Sequence, residues 1–533
     1  MKGHRVFLLG LVGFVSFLSG GWLLQRSTSP TGNVYQQARL FDDVLGYIAE
    51  YYVDSLGEAE LYDMAIDGLL DKLDDPYTGF LRREDFERLT ENTTGNYGGL
   101  GIRIDVRDGW ITVIAPIAGT PAAEAGLETG DRIVEVDGES TYGWKNQQAV
   151  DVLRGKPGTK VLVGISRPGF PGVVRYEIER AEIHIQAIQF ATVMGGVGYV
   201  SLVGSYVSEF LADELSKVVD SLLDGGARSL VLDLRFNPGG LLDQGVKVSD
   251  LFLDRGDLVV STRGRGRGST QDYDAQAKQK WPDLPMVVLV NQGTASASEI
   301  IAGALQDHDR ALVVGTPTFG KGLVQNVFRL SRWQALRLTT ARWYTPSGRT
   351  IQSDRGTRQG AATADMRAAP DSGETFHTDA GRVVYGGGGI RPDLLVAADT
   401  LTDEEREFIR AIGSDLPAYR DVRTSYALEL KGDHSITGAT AKVTAKMRAE
   451  LLIRLRQKGV EVTDEVYAGA RDLIDRQLGY EIERYVFGRE AEARRRIAAD
   501  PQVQRALALL RKVETTDQLF ALAAQYAGTP GMQ

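Results

Sequence analysis

The sequence predicts a multidomain α/β protein, with helical segments at both ends and a strand-rich module ahead of a mixed core. Three observations carry that expectation. The chain has 533 residues, and single hydrophobic cores stop growing near about 250–300 residues. Between residues 183 and 397, short apolar runs of buried-strand type alternate with helical stretches, the pattern of an α/β core. Beyond about residue 400 the strand signals stop, and helix starts and stops take over.

The chain opens with Lys2, His4 and Arg5 ahead of an uncharged run from Val6 to Leu24. Nineteen residues at about 1.5 Å each reach roughly 28 Å, close to the thickness of a bilayer core. The basic flank orients the N-terminus to the cytoplasm and the rest outward. A cleaved signal peptide is the competing reading. The length of the run and the lack of an A-x-A site favour an uncleaved anchor. Residues 1–29 are thus expected to be an inner-membrane signal anchor and linker, with the bulk of the chain on the periplasmic, extracytoplasmic side of a cell envelope.

Residues 30–97 are expected to form a helical domain. Leu40, Phe41, Val44, Leu45, Ile48, Tyr51 and Tyr52 recur at helical spacing, and a second helix from Glu58 ends at Leu73, before Asp74-Asp75-Pro76. From Gly98 the pattern changes to strands. Gly98-Gly-Leu-Gly-Ile102 leads into alternating apolar residues, then a short helix at Pro121–Leu127 and a strand closed by Asp137-Gly138. A helix at Asn146–Leu153 and a strand at Lys160–Ser166 complete the unit. Residues 98–182 resemble a PDZ domain of the protease-associated kind. In such a groove, free N–H groups of the glycine-rich loop bind a terminal carboxylate while the peptide adds an edge strand. That makes Gly98, Gly99, Leu100, Gly101 and Ile102 the expected substrate-binding residues.

In the core, residues 183–397, strands are expected at Val197–Leu202, Ser229–Leu234, Pro285–Val290, Ala311–Val314 and Gln334–Tyr344. Helices are expected at Ser208–Leu223, Gly240–Phe252 and Ser298–Asp307. Residues 398–533 read as an all-helical extension. It opens on the Thr402–Glu405 capping box and continues through Val443–Leu455, Glu465–Leu478 and Arg489–Arg511, with packing, capping or oligomer contact as its expected roles.

Composition removes several classes of function. Without any cysteine, disulfides, thiolate catalysis, cysteine metal sites and a lipoprotein anchor are all excluded. The five histidines include no ligand pair, so no metal and no cofactor are expected. A net charge of −10 argues against nucleic acid, and Arg263-Gly-Arg-Gly-Arg-Gly268 reads as a solvated loop.

Chemistry points to three strand-to-helix or strand-to-loop turns. Val287–Ile300 runs from a buried strand through Thr294-Ala-Ser296 into a helix, exposing Ser296 where α/β sheets place their sites. Ser296 also meets the positive end of that helix, which favours a developing oxyanion. Ser296-x-x-Glu299 is equally the pattern of a capping box. Lys321 lies between two glycines after the Ala311–Gly315 strand, at the same edge if the strands are parallel. A free lysine has a pKa near about 10.4, and burial can lower that by as much as about 3–5, giving a neutral amine able to take a serine proton. Gln325 follows four residues later and could hold the amine. His308 would stand about 18 Å from Ser296 along the helix, beyond reach. In Leu232–Leu241, Gly239 or Gly240 could aim an N–H at the oxyanion, with Ala297 as partner donor.

Together with Leu73–Leu81, Tyr344–Arg349 and Gly388-Gly-Ile-Arg-Pro-Asp393, these segments resemble the C-terminal processing (tail-specific) peptidases, in the family's order across residues 40–397. The resemblance implies a crotonase-like α/β protease core with an inserted PDZ domain. It implies Ser296 as nucleophile, Lys321 as general base, Gln325 as its orienter, and an oxyanion hole of Ala297 with the Gly239/Gly240 turn. Arg154 would relay tail binding to the active site. Substrates would be proteins with exposed apolar C-termini. A homo-oligomer and an adaptor lipoprotein are compatible partners. Two departures stand out: a Gly/Ala/Arg-rich insert at 353–387 and the long helical tail.

Three rival readings share part of this pattern. A non-catalytic PDZ scaffold should lack Ser296 or Lys321, and both are present. A histidine-triad PDZ protease needs a His–Asp motif before Gly98, where only His4 occurs. An acyl-CoA enzyme fits the core topology and neither the export signal nor the PDZ pattern.

Overall fold

The computed structural model describes residues 34–167, 170–353, 374–436 and 442–527. The expected anchor at Val6–Leu24 lies outside the described residues. Among the described residues no helix is long and apolar enough to cross a membrane. The chain divides into two compact units that part at Phe80 and Leu81. The first holds helices Val34–Tyr51 and Glu58–Asp71, with the Tyr62 hydroxyl donating to Asp42 Oδ1 at 3.0 Å. The Arg83–Thr94 helix, grouped with these by the sequence reading, belongs to the second unit.

The second unit is built on a six-stranded sheet. Its order is Phe190–Met194, Val197–Ser201, Ser229–Asp233, Met286–Val290, Leu312–Gly315 and Leu394–Leu395. The first pair is antiparallel and every other pair is parallel. A parallel sheet needs cover on both faces, and strand alternation supplies two apolar faces. Val288, Val290, Leu230, Leu232 and Val313 pack under helices Leu211–Asp224, Leu242–Asp250 and Ala297–Asp307. Val287, Leu289, Val231, Leu312 and Val314 pack under helices Pro501–Leu510 and Thr516–Ala527. The last helices of the tail therefore complete the core rather than extend it. The Arg489–Arg511 stretch is two helices, because Pro501 starts the second at a position that tolerates proline.

The earlier helices of the tail form their own cluster around Phe408, Tyr419, Leu451 and Ile474. Antiparallel strands Leu258–Arg263, Gln271–Asp274, Leu323–Arg329 and Ala335–Tyr344 form a second layer. Arg265 and Arg267 are exposed on the turn joining the first two. The expected insert at 353–387 is a loop only in part: Thr375–His377 and Val383–Tyr385 pair as a hairpin. The strand-rich module runs in the order Ile102–Arg107, Trp110–Pro116, Arg132–Val136, Lys160–Ser166, Val174–Glu179. Its first strand is an open edge beside the Asn146–Leu153 helix.

One buried network ties tail to core. Tyr199 donates to Asp233 Oδ2 at 2.7 Å, and Arg235 grips both Asp233 oxygens at 2.9 and 2.6 Å. Arg235 Nη1 then reaches Asp500 Oδ2 and Gln502 Oε1, each at 2.8 Å. The other Asp500 oxygen caps the Pro501–Leu510 helix through the Gln502 and Val503 N–H groups. Asp500→Ala removes a cap and half of the Arg235 pairing, together about 2 kcal/mol. Amide hydrogen exchange in Pro501–Leu510 should accelerate roughly 30-fold; unchanged exchange there would show that Asp500 anchors nothing.

Candidate active site

The three turns picked out by sequence all leave the carboxyl edge of neighbouring parallel strands: Ser229–Asp233, Met286–Val290 and Leu312–Gly315. After the middle strand, Asn291 organises the turn: its Oδ1 takes the Phe236 and Gly293 N–H groups at 2.9 and 3.0 Å. Thr294 donates its hydroxyl to the Leu234 carbonyl at 2.8 Å, and its own carbonyl takes the Phe319 N–H at 3.0 Å. The first, second and third turns are thereby sewn together. The chain then bends sharply at Ser296, whose φ of 56° and ψ of −120° are rare for a side-chain-bearing residue. That bend leaves Ser296 half-buried at the N-cap of the fully buried Ala297–Asp307 helix.

Glu299 explains how this conformation is held. It is 0% exposed and each carboxylate oxygen has two donors. Oε2 takes the Ser296 N–H at 2.8 Å and the Lys321 N–H at 2.9 Å. Oε1 takes the Gly320 N–H at 2.7 Å and the Thr318 hydroxyl at 2.5 Å. Sequence reading saw Glu299 as half of a capping box. The capping box is present, and the Glu299 N–H also goes to the Ser296 carbonyl at 2.8 Å. Burial pushes the Glu299 pKa up, while its four donors pull the other way. With its folded value above the unfolded one, stability from this group is fullest below the unfolded pKa and declines as pH rises through the folded one.

Lys321 is half-buried, its carbonyl taken by the Trp343 indole N–H at 3.0 Å. The Glu299 carboxylate brings the Ser296 and Lys321 positions together. Gln325 sits on the Leu323–Arg329 strand opposite Thr339, and its amide N–H donates to Thr339 Oγ1 at 3.4 Å. Two histidines are bonded elsewhere. His308 bonds Asp379 and the Leu258 carbonyl at 2.7 and 2.8 Å, and His184 lies between Asn96 and Glu214. Burial lowers the His308 pKa, but these bonds outweigh it and raise the value.

The glycine turn differs in detail from expectation. The Gly239 N–H is spent on Asn237 Oδ1 at 3.0 Å, so it is not a free donor. Gly239 instead keeps space open: with φ of 87°, its Cβ would stand 2.8 Å from the Ala297 nitrogen. Ala297 and Gly240 N–H groups have no acceptor among the described residues. Asn237, which sequence reading passed over, is fully buried. It also takes the Ser298 hydroxyl at 2.7 Å and donates to the Leu202 carbonyl at 3.0 Å. Its signal was an asparagine–proline pair between a strand and two glycines. The Gly388–Asp393 motif is positional: Thr318 exchanges hydrogen bonds with Ile390, and Asp393 takes the Val313 N–H at 2.8 Å. Arg349 of the Tyr344–Arg349 motif holds Asp307, at the far end of the Ser296 helix, at 2.6 Å.

In the strand-rich module, Gly98 and Gly99 do not lie in the turn. They pair with Glu182 and Ala181 in a ladder, and a Cβ on Gly98 would stand 2.2 Å from the Gly155 carbonyl. The turn proper is Leu100-Gly101: Leu100 is buried, and Gly101 has φ of 78° against Thr120. Ile102 opens the edge strand. Arg154 pairs with Glu91 and lies 4.6 Å over the Tyr97 ring; none of its described bonds reaches Ser296 or Lys321. Among the described residues no cluster of metal-ligating side chains occurs.

Comparison with known proteins identifies the family. The model of peptidase family S41 matches residues 196–359, and that of the PDZ domain matches 112–167. The carboxy-terminal-processing protease of Bartonella bacilliformis is 40% identical over 345 residues, covering 63% of this chain and 78% of that one. The carboxy-terminal processing protease CtpA of Bacillus subtilis is 34% identical over 350 residues, 66% of this chain and 73% of that one. A solved photosystem II D1 C-terminal processing protease is 31% identical over 66% of this chain and 84% of that one, at a TM-score of 0.35. The sequence relatives carry the assignment: the chain belongs to the carboxy-terminal-processing proteases of peptidase family S41, serine-type enzymes, here with a PDZ domain.

Proposed function

We propose that the chain is a cell-envelope endopeptidase that recognises unstructured protein C-termini through its PDZ domain and cuts by a Ser296–Lys321 dyad. The observation that carries this reading is the Glu299 carboxylate, which fixes the Ser296 and Lys321 N–H groups on one oxygen. Both side chains then spring from one point of a crotonase-like core.

The neutral Lys321 amine takes the Ser296 hydroxyl proton as Oγ attacks the scissile carbonyl. The tetrahedral oxyanion faces the Ala297 and Gly240 N–H groups at the helix N-terminus. Its collapse breaks the C–N bond, and the Lys321 ammonium protonates the departing amine. Water, deprotonated by the same amine, then hydrolyses the acyl-enzyme ester. The bond between Ser296 and Lys321 would tighten with substrate, as catalytic bonds commonly do. Gln325 would turn from Thr339 to the amine on that tightening. Arg154 would relay tail binding, by exchanging Glu91 for the tail or its loop.

The tail adds a strand to the open edge at Ile102–Arg107, with its carboxylate at the Leu100-Gly101 turn and a small apolar side chain inward. The division into helical domain 30–97, PDZ 98–182, protease core 183–397 and extension 398–533 is carried forward with two changes: Arg83–Thr94 belongs with the second unit, and Pro501 onward serves the core. Membrane attachment through Val6–Leu24, homo-oligomers and an adaptor lipoprotein belong to the same proposal.

Degradation of an unfolded protein with an apolar tail, by the chain from about residue 30, tests the dyad. Ser296→Ala and Lys321→Ala should each lose at least about 10³-fold in kcat. A Lys321→Ala enzyme cutting near the wild-type rate would place the base elsewhere. Glu299→Gln turns an amide NH₂ toward backbone donors. It should lower kcat about 10²-fold with KM little changed, because the site is misaligned rather than the tail released; a rise in KM alone would contradict that role.

A further inference from the structure

The upstream helices of the tail dock on the outer face of the PDZ edge strand. Ile102, Ile104 and Val106 turn inward to the PDZ core, so Arg103, Asp105 and Arg107 project from the opposite face. Two of these three are neutralised there. Arg107 pairs with Asp105 at 2.8 Å, and Arg420 from the tail lies 3.7 Å from Asp105 and donates to the Val106 carbonyl at 3.1 Å. Arg103 has only the neutral Gln189 amide, at 2.8 Å.

A cavity of about 350 Å³ opens beside Arg103, at the start of the edge strand. Its cationic lining comes from three parts of the chain: Arg103 on the strand, Arg154 on the PDZ turn, and Arg489 at the head of a tail helix. Ile102, Ile117 and Ile188 supply apolar wall. Arg154 has its counter-charge in Glu91. Neither Arg103 nor Arg489 has a carboxylate hydrogen-bond partner among the described residues. The acid that Arg489 feels most, Glu492, is already held by Arg484 at 2.6 Å on both oxygens and by Arg496 at 2.8 Å. Burial, with the Arg489 charge added, pushes the Arg103 pKa down. Two guanidinium groups line one concave site, neither bonded to a carboxylate among the described residues.

A peptide added along this edge turns alternate side chains to opposite faces. If the terminal apolar side chain points inward beside Ile102, the next one upstream points outward, toward Arg103 and Arg489. We propose that this cavity is a carboxylate subsite that takes an acidic side chain at the penultimate position of the substrate tail, with Arg489 lent by the helical extension. The inference rests on tail binding at the PDZ edge.

The test uses the full chain carrying Ser296→Ala, to prevent cleavage, and fluorescent decapeptides ending in alanine that differ only in a penultimate Asp, Asn or Lys. Anisotropy should show Asp binding about tenfold tighter than Asn, and Lys weaker than Asn, at low salt. Arg489→Gln and Arg103→Gln should each bring the Asp-to-Asn ratio toward one. Equal affinity for Asp and Asn, or a ratio that survives both arginine changes, overturns the subsite. A C-terminally amidated Asp peptide separates the two levels. If it binds as well as the free acid, tail recognition itself fails; if it binds weakly while Asp and Asn are equal, only the subsite fails.

Discussion

The proposed catalytic edge of this protein depends on one buried carboxylate. Glu299 sits in the first turn of a helix with no exposed surface, and it satisfies four donors drawn from two separate loops. Taking such a charge out of water costs several kcal/mol unless hydrogen bonds replace the lost hydration. Here four hydrogen bonds offset part of that cost, and they dictate geometry. The Ser296 backbone is drawn into a left-handed conformation, and the Thr318–Lys321 loop folds back over the same oxygens. A neutral amide cannot meet this demand, since it offers one acceptor oxygen where four donors converge.

The second constraint is the two-faced parallel sheet. Its outer apolar face is closed by helices more than 100 residues downstream of the last strand, so the tail is obligatory to the core. Arg235 connects that closure to the chemistry: it lies two residues from Asn237, which braces the Gly239 turn, and it grips Asp500 at the head of the closing helix. The tail thus touches the catalytic edge at one end and the PDZ strand at the other, through Arg420 and Arg489.

Much of this was legible in the sequence, where periodicity and composition act locally. The strands at Val197, Ser229 and Met286, and the helices after them, begin within about three residues of their expected starts, because buried apolar runs and glycine turns punctuate them. The placement of Ser296 and Lys321 on one edge followed from a condition, parallel strands, that the structure meets. What escaped was tertiary. Nothing local says that Glu299 reaches Lys321, that Pro501–Leu510 crosses to the sheet, or that Gly98 is a glycine for the sake of the Gly155 carbonyl. The Leu323–Arg329 strand was missed because it is half-buried and then exposed, without the alternation that marks a strand. The pairing of Gln325 with Thr339 across the strand ladder was equally beyond a local reading.

The most direct test of the account is covalent labelling of the wild-type chain by a fluorophosphonate, followed by intact mass and peptide mapping. Phosphonylation requires a serine hydroxyl activated by a base and facing an oxyanion pocket. The account predicts one adduct, on Ser296, whose rate of formation rises with pH to a plateau and is lost when Lys321 is replaced by alanine. An adduct on another serine, or a Ser296 adduct forming equally fast without the lysine, would contradict it.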